Sequence, residues 1–432
     1  MTAVVGIMNK RGVAIAADSA VTMVRHNERK IANTANKMLR LSSAQPVSIM
    51  ITGNATFLGT PWDVIIRRYR QKRGHLSLPT LEAVVNDFLA YIPTEKQVFD
   101  PGIQESYVYY IFNQLFDQIE PEYPFDIETD DDDNITNLDE IVEEYQDQIS
   151  MLLNRWNDGK IEPAFKDYSF EKFLEYTSEI WNIFVEKRIN PFLCDYPEAL
   201  FDYLREDFME LAYIYLIHQC DLEEALLVFS GFGADEEYPS LIAVRVNEGF
   251  DSHICYRIGK DDIVHITDQN ETAICPFAQT DIMDALLTGI HPSLKNEALE
   301  RNSVYLDNYR DQVSDYLYAN DEITDELEEA INQVKSNDLS ADFQSFEEQR
   351  ELDSKQSWLK ALKNYDLQNM ARLAENLVAI TGFERHMTFQ QEGVGGPIDL
   401  AVITKNDGFI WLNRKSWYNH QDIGGRYGKF GV

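Results

Sequence analysis

The sequence predicts an α+β fold, on three observations. Apolar runs of strand length stand at both ends and in the middle of the 432-residue chain, long blocks with helical period separate them, and no stretch repeats. That order argues for one sheet-based core interrupted by helical insertions, not for a string of separate units. The expected divisions are 1–92, the first part of the core; 93–222, a helical insertion; 223–299, the middle of the core; 300–370, an acidic helical insertion; and 371–432, a last helix and strands with a glycine-rich tail.

Residues 2–8, TAVVGIM, and 13–17, VAIAA, flank the turn NKRG and predict a hairpin buried on both faces. The small side chains of Gly6, Ala14, Ala16 and Ala17 imply a close neighbour against that hairpin. A polar loop is expected next, then Lys37-Met38-Leu39 and a buried strand at 47–52, VSIMIT, ending at Gly53-Asn54. From residue 57 the period turns helical: Phe57, Trp62, Val64, Ile65 and Tyr69 share a face ahead of the basic cluster RRYRQKR. Strands are expected again at 225–230, 240–247, 253–258 and 262–266, and a helix over 277–289. Within the second acidic block DEITDELEEAINQV is amphipathic. The runs 398–404, IDLAVIT, and 408–413, GFIWLN, joined by KNDG, predict a closing hairpin before a mobile tail, GGRYGKFGV.

Charge narrows the function classes. With 38 basic against 73 acidic residues the chain carries −35. Such a surface repels phosphate backbones and anionic lipid heads, so neither nucleic acid nor a membrane is an expected partner. The tract TDDDDN (129–134) lacks the alternating ligands, mid-loop glycine and closing glutamate of a calcium loop, and reads as a solvated acidic loop. Cys194, Cys220, Cys255 and Cys275 form no C-x-x-C pair and read as reduced thiols. No apolar run is of membrane-spanning length and no secretory signal opens the chain, which together predict a cytoplasmic protein. There is no H-E-x-x-H, phosphate-binding G-x-x-x-x-G-K-[ST] or G-x-S-x-G, and in SGFGADEE (230–237) acids stand where a phosphate would need positive charge. The eight histidines show no ligand spacing. No metal and no organic cofactor is expected.

The N-terminus carries the chemistry that remains. Thr2 follows the initiator methionine, which is normally trimmed before so small a side chain. Trimming would leave a hydroxyl and an α-amine on adjacent carbons. An α-amine titrates at about 7.7–8 and serves as a general base near neutral pH, which a threonine hydroxyl needs to act as a nucleophile. An apolar strand beginning at Thr2 would clamp that residue in a sheet.

TAVVGIMNKRGVAIAADSAVT resembles the N-terminus of a mature proteasome β-subunit, or of its bacterial relative, the HslV-type peptidase. In that family a catalytic threonine opens one strand and a second, of pattern G-V-x-[IL]-A-x-D-[SG], ends in an aspartate; Thr2 and Asp18 match those positions. NKMLRL (36–41) is similar to the segment with the active-site lysine, which makes Lys37 its counterpart. SIMITGNAT (48–56) is similar to the strand and turn whose backbone N–H helps form the oxyanion hole, pointing to Gly53. VGGPIDLAVIT (394–404) resembles the Gly-Gly turn and strand that complete the family's second sheet. The family places an aspartate and a serine just before that turn; here the stretch is QQEGVGG, so Gln391 or Glu392 would substitute.

The resemblance implies the N-terminal-nucleophile (Ntn) hydrolase fold: an αββα four-layer sandwich, expected here as two mixed sheets stacked face to face with helices outside, enlarged by two acidic helical insertions. It implies a proteasome-like threonine hydrolase cleaving amide bonds, most naturally peptide bonds, through an acyl-enzyme. Thr2 would be the nucleophile, Lys37 the cation beside it, Asp18 the partner that orients Lys37, and Gly53 an oxyanion donor. The implied partners are a peptide or protein substrate, further copies of the chain in a homo-oligomer, and a regulator at the insertions. A catalytically silent assembly protein and a small-molecule amidase are the alternatives.

Overall fold

The computed structural model describes residues 2–25, 28–32, 35–119, 137–156, 163–189, 199–218, 224–319, 324, 336–388 and 394–415. The chain opens with strands β1 (Ala3–Asn9), β2 (Gly12–Ala17), β3 (Val21–Arg25), β4 (Glu28–Ala32), β5 (Met38–Arg40), β6 (Val47–Gly53), β7 (Thr56–Phe57) and β8 (Thr60–Pro61). Helices α1 (Trp62–Arg73), α2 (Leu81–Tyr91), α3 (Pro101–Ile119), α4 (Leu138–Trp156), α5 (Phe170–Phe184) and α6 (Ala199–His218) follow. Next come β9 (Ala225–Gly231), β10 (Ser240–Phe250), β11 (His253–Arg257), β12 (Ile263–His265) and β13 (Thr272–Ala278). The remainder is α7 (Asp281–Thr288), α8 (Pro292–Ala319), α9 (Ser336–Leu362), α10 (Leu367–Met387), β14 (Asp399–Thr404) and β15 (Gly408–Asn413). This is an α+β chain with two principal sheets, ordered β13-β1-β2-β14-β15 and β11-β10-β9-β6-β5.

Alternation of side chains along each strand builds three cores. On one face of the first sheet Ala3, Val5, Ile7, Ala14, Ala16, Leu400 and Val402 meet Met370, Ala371, Ala374, Leu377 and Val378 of α10. On its other face Val4, Met8, Val13, Ile15, Ala17, Ala401 and Ile403 meet Met38, Met50, Val228, Leu241 and Ala243 of the second sheet. The far face of that sheet, with Val47, Ile49, Ile51, Leu227, Phe229, Ile242 and Val244, is covered by Trp62, Ile65 and Tyr69 of α1 and Val84, Val85 and Phe88 of α2. The hairpin of β1 and β2 is thus buried on both faces, as its continuous apolar runs require. Gly6 shows why small residues stand there: a Cβ at this position would lie 2.8 Å from Leu241 Cδ1 of the facing sheet.

A fourth core belongs to α3–α6. Phe112, Trp181, Phe184 and Phe208 fill it together with Phe250 and Cys255 of the second sheet. Phe112 meets Phe184 and Phe208 edge-to-face, with centroids 5.5 and 5.7 Å apart, the arrangement that aromatic quadrupoles favour. By contrast α8 carries no buried residue, and Tyr305, Tyr309 and Tyr316 on it are exposed. No helix among the described residues is long and apolar enough to cross a membrane, and no cluster of histidine, cysteine or acidic side chains among them could hold a metal.

Several expectations need correction. The sheets are not mixed: among the described residues every strand pair is antiparallel, and β1–β2, β5–β6, β9–β10, β10–β11 and β14–β15 are consecutive strands joined by short reversals, which fix that direction. The polar stretch after β2 is a hairpin, β3 with β4, not a loop. Residues 272–278, which received no strand assignment, form β13 along β1, and the helix expected over 277–289 spans only Asp281–Thr288. Pro276 disguised β13: a proline cannot donate to a ladder, and it is tolerated here because β13 is an edge strand. Helix α8 begins at Pro292 and runs across residue 300. The acidic tract 129–134, all of 321–334 except Thr324, Gln391, Glu392, Cys194, Cys220 and the glycine-rich tail lie outside the described residues. Neither Cys255 nor Cys275 forms a disulfide among the described residues.

Candidate active site

The first two strands set the site. Because β1 and β2 pair with Val4 opposite Ala17, the start of β1 lies beside Asp18, the residue after β2. The Asp18 N–H donates to the Ala3 carbonyl at 3.1 Å, and the Ala3 N–H donates back to Asp18 Oδ1 at 3.0 Å. On the other side of β1 the Gln279 N–H donates to the Thr2 carbonyl at 3.1 Å. Ala278, in the left-handed region at φ 69°, makes the turn that brings Gln279 there. Gln279 Oε1 in turn accepts Arg385 Nε at 3.0 Å, and Arg385 also pairs with Asp281. The Thr2–Ala3 segment is therefore held from both flanks, through the Thr2 carbonyl on one and Ala3 on the other, and Thr2 has only 8% of its surface exposed.

Asp18 is the hub. Its exposure is 1%, and Lys37, at 5%, donates to its Oδ1 at 2.7 Å. Oδ1 thus serves both the Lys37 ammonium and the Ala3 amide, so the two donors are no farther apart than two hydrogen bonds laid end to end. The other oxygen, Oδ2, accepts Ala20 N–H at 3.2 Å and Gly395 N–H at 3.0 Å, while the Gly395 carbonyl accepts Ser19 N–H at 3.2 Å. The Gly-Gly turn before β14 accordingly closes over the Asp18 carboxylate. Four donors satisfy a carboxylate that would otherwise be prohibitively costly to bury.

Lys37 sits just before β5, with its carbonyl accepting the Ile51 N–H of β6 at 2.8 Å. Burial pushes its ammonium below the ordinary lysine value; Asp18 opposes that shift, and Lys415 adds to it by like-charge repulsion. A lysine so placed releases its proton more readily than one in water while remaining tied to its carboxylate.

Gly53 ends β6, two residues beyond the partner of Lys37. Its φ is 77°, and a Cβ there would lie 2.1 Å from the Glu224 carbonyl oxygen, so the position requires glycine. The loop that follows is held by Glu248 of β10, whose carboxylate accepts the Leu58 N–H and, at 3.5 Å, Asn54 Nδ2. Burial raises Glu248 to about 7. The structure thus joins Asp18, Lys37 and the Thr2–Ala3 segment in one hydrogen-bonded cluster. Gly53 is tied to that cluster through β6, with no hydrogen bond to Thr2.

Sequence reasoning missed a second buried ion pair beside the first. Lys415 Nζ donates to Asp399 Oδ2 at 2.9 Å, to Ser19 Oγ at 3.2 Å and to the Ala35 carbonyl, and Lys415 N–H donates to Asp399 Oδ1 at 2.9 Å. One signal was available: Asp399 interrupts an apolar strand, IDLAVIT, and a carboxylate there needs a cation. Nothing in the sequence around Lys415 identifies it as that cation. No family model and no curated protein matches this chain.

Proposed function

We propose that this protein is an Ntn hydrolase with the αββα sandwich of the proteasome β-subunits, and that it cleaves amide bonds, in peptides or proteins, through Thr2. The three stacked cores, with helices outside two facing sheets, support the fold assignment. The observation that carries the functional reading is the shared Asp18 oxygen, which joins a buried lysine to the backbone at Ala3, next to Thr2.

In the proposed reaction the α-amine of Thr2, freed by removal of Met1, takes the proton of its own hydroxyl. The oxygen attacks the substrate carbonyl, and the oxyanion is stabilised by backbone N–H donors, for which Gly53 is the candidate. The ammonium returns its proton to the leaving nitrogen as the C–N bond breaks, giving an ester on Thr2. Water, deprotonated by the same amine, then hydrolyses the ester and regenerates the hydroxyl. Lys37 favours both steps: its positive charge stabilises the developing alkoxide and holds the neighbouring amine unprotonated. Asp18 fixes that lysine.

The test compares wild type with Thr2→Ala on a mixture of unstructured proteins. Hydrolysis by the wild type that vanishes in the variant supports the reading. A variant that digests as well as wild type rejects Thr2 as nucleophile. Hydrolysis of small amides alone would mark a small-molecule amidase, and none by either protein an assembly role.

A further inference from the structure

The second ion pair has no part in the proposed reaction, yet its contacts converge on residues that flank the first. Ser19 follows Asp18, Ala35 lies two residues before Lys37, and both give an oxygen to Lys415 Nζ. Ala35 N–H also donates to the Ser19 carbonyl at 3.3 Å, and Ser19 Oγ donates to the Pro397 carbonyl at 2.7 Å. Asp399, the counter-ion, pairs in register with Ala17 at the end of β2. Side-chain exposures of 6% and 4% put Lys415 and Asp399 as far from water as Lys37 and Asp18.

We propose that Lys415, neutralised by Asp399, is a positioning residue that fixes the Lys37 loop against the end of β2 and sets the electrostatic field in which Lys37 works. This rests on the hydrolase reading for its consequence in catalysis, but not for its physical content. An exposed lysine would anchor a loop as well; a buried one adds a second positive charge that water barely screens. The charged side chains that bear on Lys37 among the described residues are Asp18 after β2, Asp399 on β14 and Lys415 after β15. The two carboxylates strengthen its hold on the proton and Lys415 weakens it.

The readout is the titration of the Lys37 Nζ by heteronuclear NMR, assigned through Lys37→Arg, together with the pH profile of hydrolysis. In Lys415→Met the Lys37 midpoint should rise by about one pH unit. The alkaline limb of the profile, on which Lys37 loses the positive charge that the reaction uses, should move the same way, so that the rate at a fixed pH on that limb rises about tenfold. Lys415→Arg, which keeps the cation, should leave both near wild type. Because Lys415→Met strands a buried Asp399 and can fail to fold, Lys415→Met/Asp399→Asn serves beside it; a rise in the same direction, smaller because an opposing charge is also gone, is expected. A midpoint unmoved in these variants, or moved equally by arginine, overturns the proposal. If the wild type hydrolyses nothing, the hydrolase reading falls, while the NMR titration still decides whether Lys415 governs Lys37.

Discussion

Asp18→Ala is expected to cost the fold about 3–5 kcal/mol, the range found when one member of a buried ion pair is removed. Out of a total stability of about 5–15 kcal/mol such a loss leaves little margin. The change strands Lys37, which must then lose its proton or draw in water. It also orphans the N–H groups of Ala3, Ala20 and Gly395, all of which donate to this carboxylate. Asp18→Asn should rescue little. With its oxygen toward Lys37 and Ala3, the amide NH2 would face the Ala20 and Gly395 donors, donor against donor. Adding Lys37→Met to Asp18→Ala removes the stranded charge but not the three orphaned amides, so part of the loss should return while hydrolysis stays absent. Urea unfolding of the four proteins checks this. A stability in Asp18→Ala within 1 kcal/mol of wild type, an explicit threshold of about the size of a single exposed ion pair, would show that the hub does not hold the site together.

Glu248→Gln should gain stability over the pH range in which the wild type loses it. Burial raises this carboxyl from 4.5 to about 7, so the folded chain binds its proton more tightly than the unfolded chain does. Between those two values the native state holds more protons, and stability therefore falls as pH rises. The loss levels off above about 7 and amounts to at most about 3.5 kcal/mol at roughly 1.4 kcal/mol per pH unit. Glutamine keeps an oxygen for the Leu58 N–H, gives up only the 3.5 Å bond from Asn54 Nδ2, and carries no charge to desolvate. The variant should therefore match wild type near pH 4.5 and exceed it by about 2–3 kcal/mol at pH 8. Parallel stability curves for the two proteins across this range would show that Glu248 ionises without penalty. The loop it restrains follows Gly53, so the same titration bears on how firmly the candidate oxyanion donor is held.

The parts of this molecule that were legible in its sequence share a physical reason. β1, β2, β6, β9 and β14 are runs whose side chains are almost all buried, and β15 is a continuous apolar run although Ile410 and Leu412 on it are exposed; such runs need no knowledge of their partners to be read. Thr2, Asp18 and Lys37 were placed by resemblance, and two of them meet as a buried pair because a strand end and the next loop converge on one oxygen. What stayed hidden depends on long-range partners. β13 contains Pro276 and half-buried residues, so only its pairing with β1 makes it a strand. Lys415 lies 16 residues from Asp399 and 396 from Ser19, and no local pattern reports such a meeting. Glu248 belongs to the same class: an acid near the end of an apolar strand, whose meaning appears only when Leu58, 190 residues away, turns its N–H toward it.

The central claim is that Thr2 presents a hydroxyl and a free amine beside the Lys37–Asp18 pair. Its most direct test is mass spectrometry of the purified protein before and after treatment with a peptidyl epoxyketone, which closes a ring only onto a hydroxyl and an adjacent amine. The expected result is a chain lacking Met1 that gains one inhibitor, mapped to Thr2 and absent from Thr2→Ala. A uniform population that keeps Met1, or an adduct that forms equally well on the alanine variant, would contradict it.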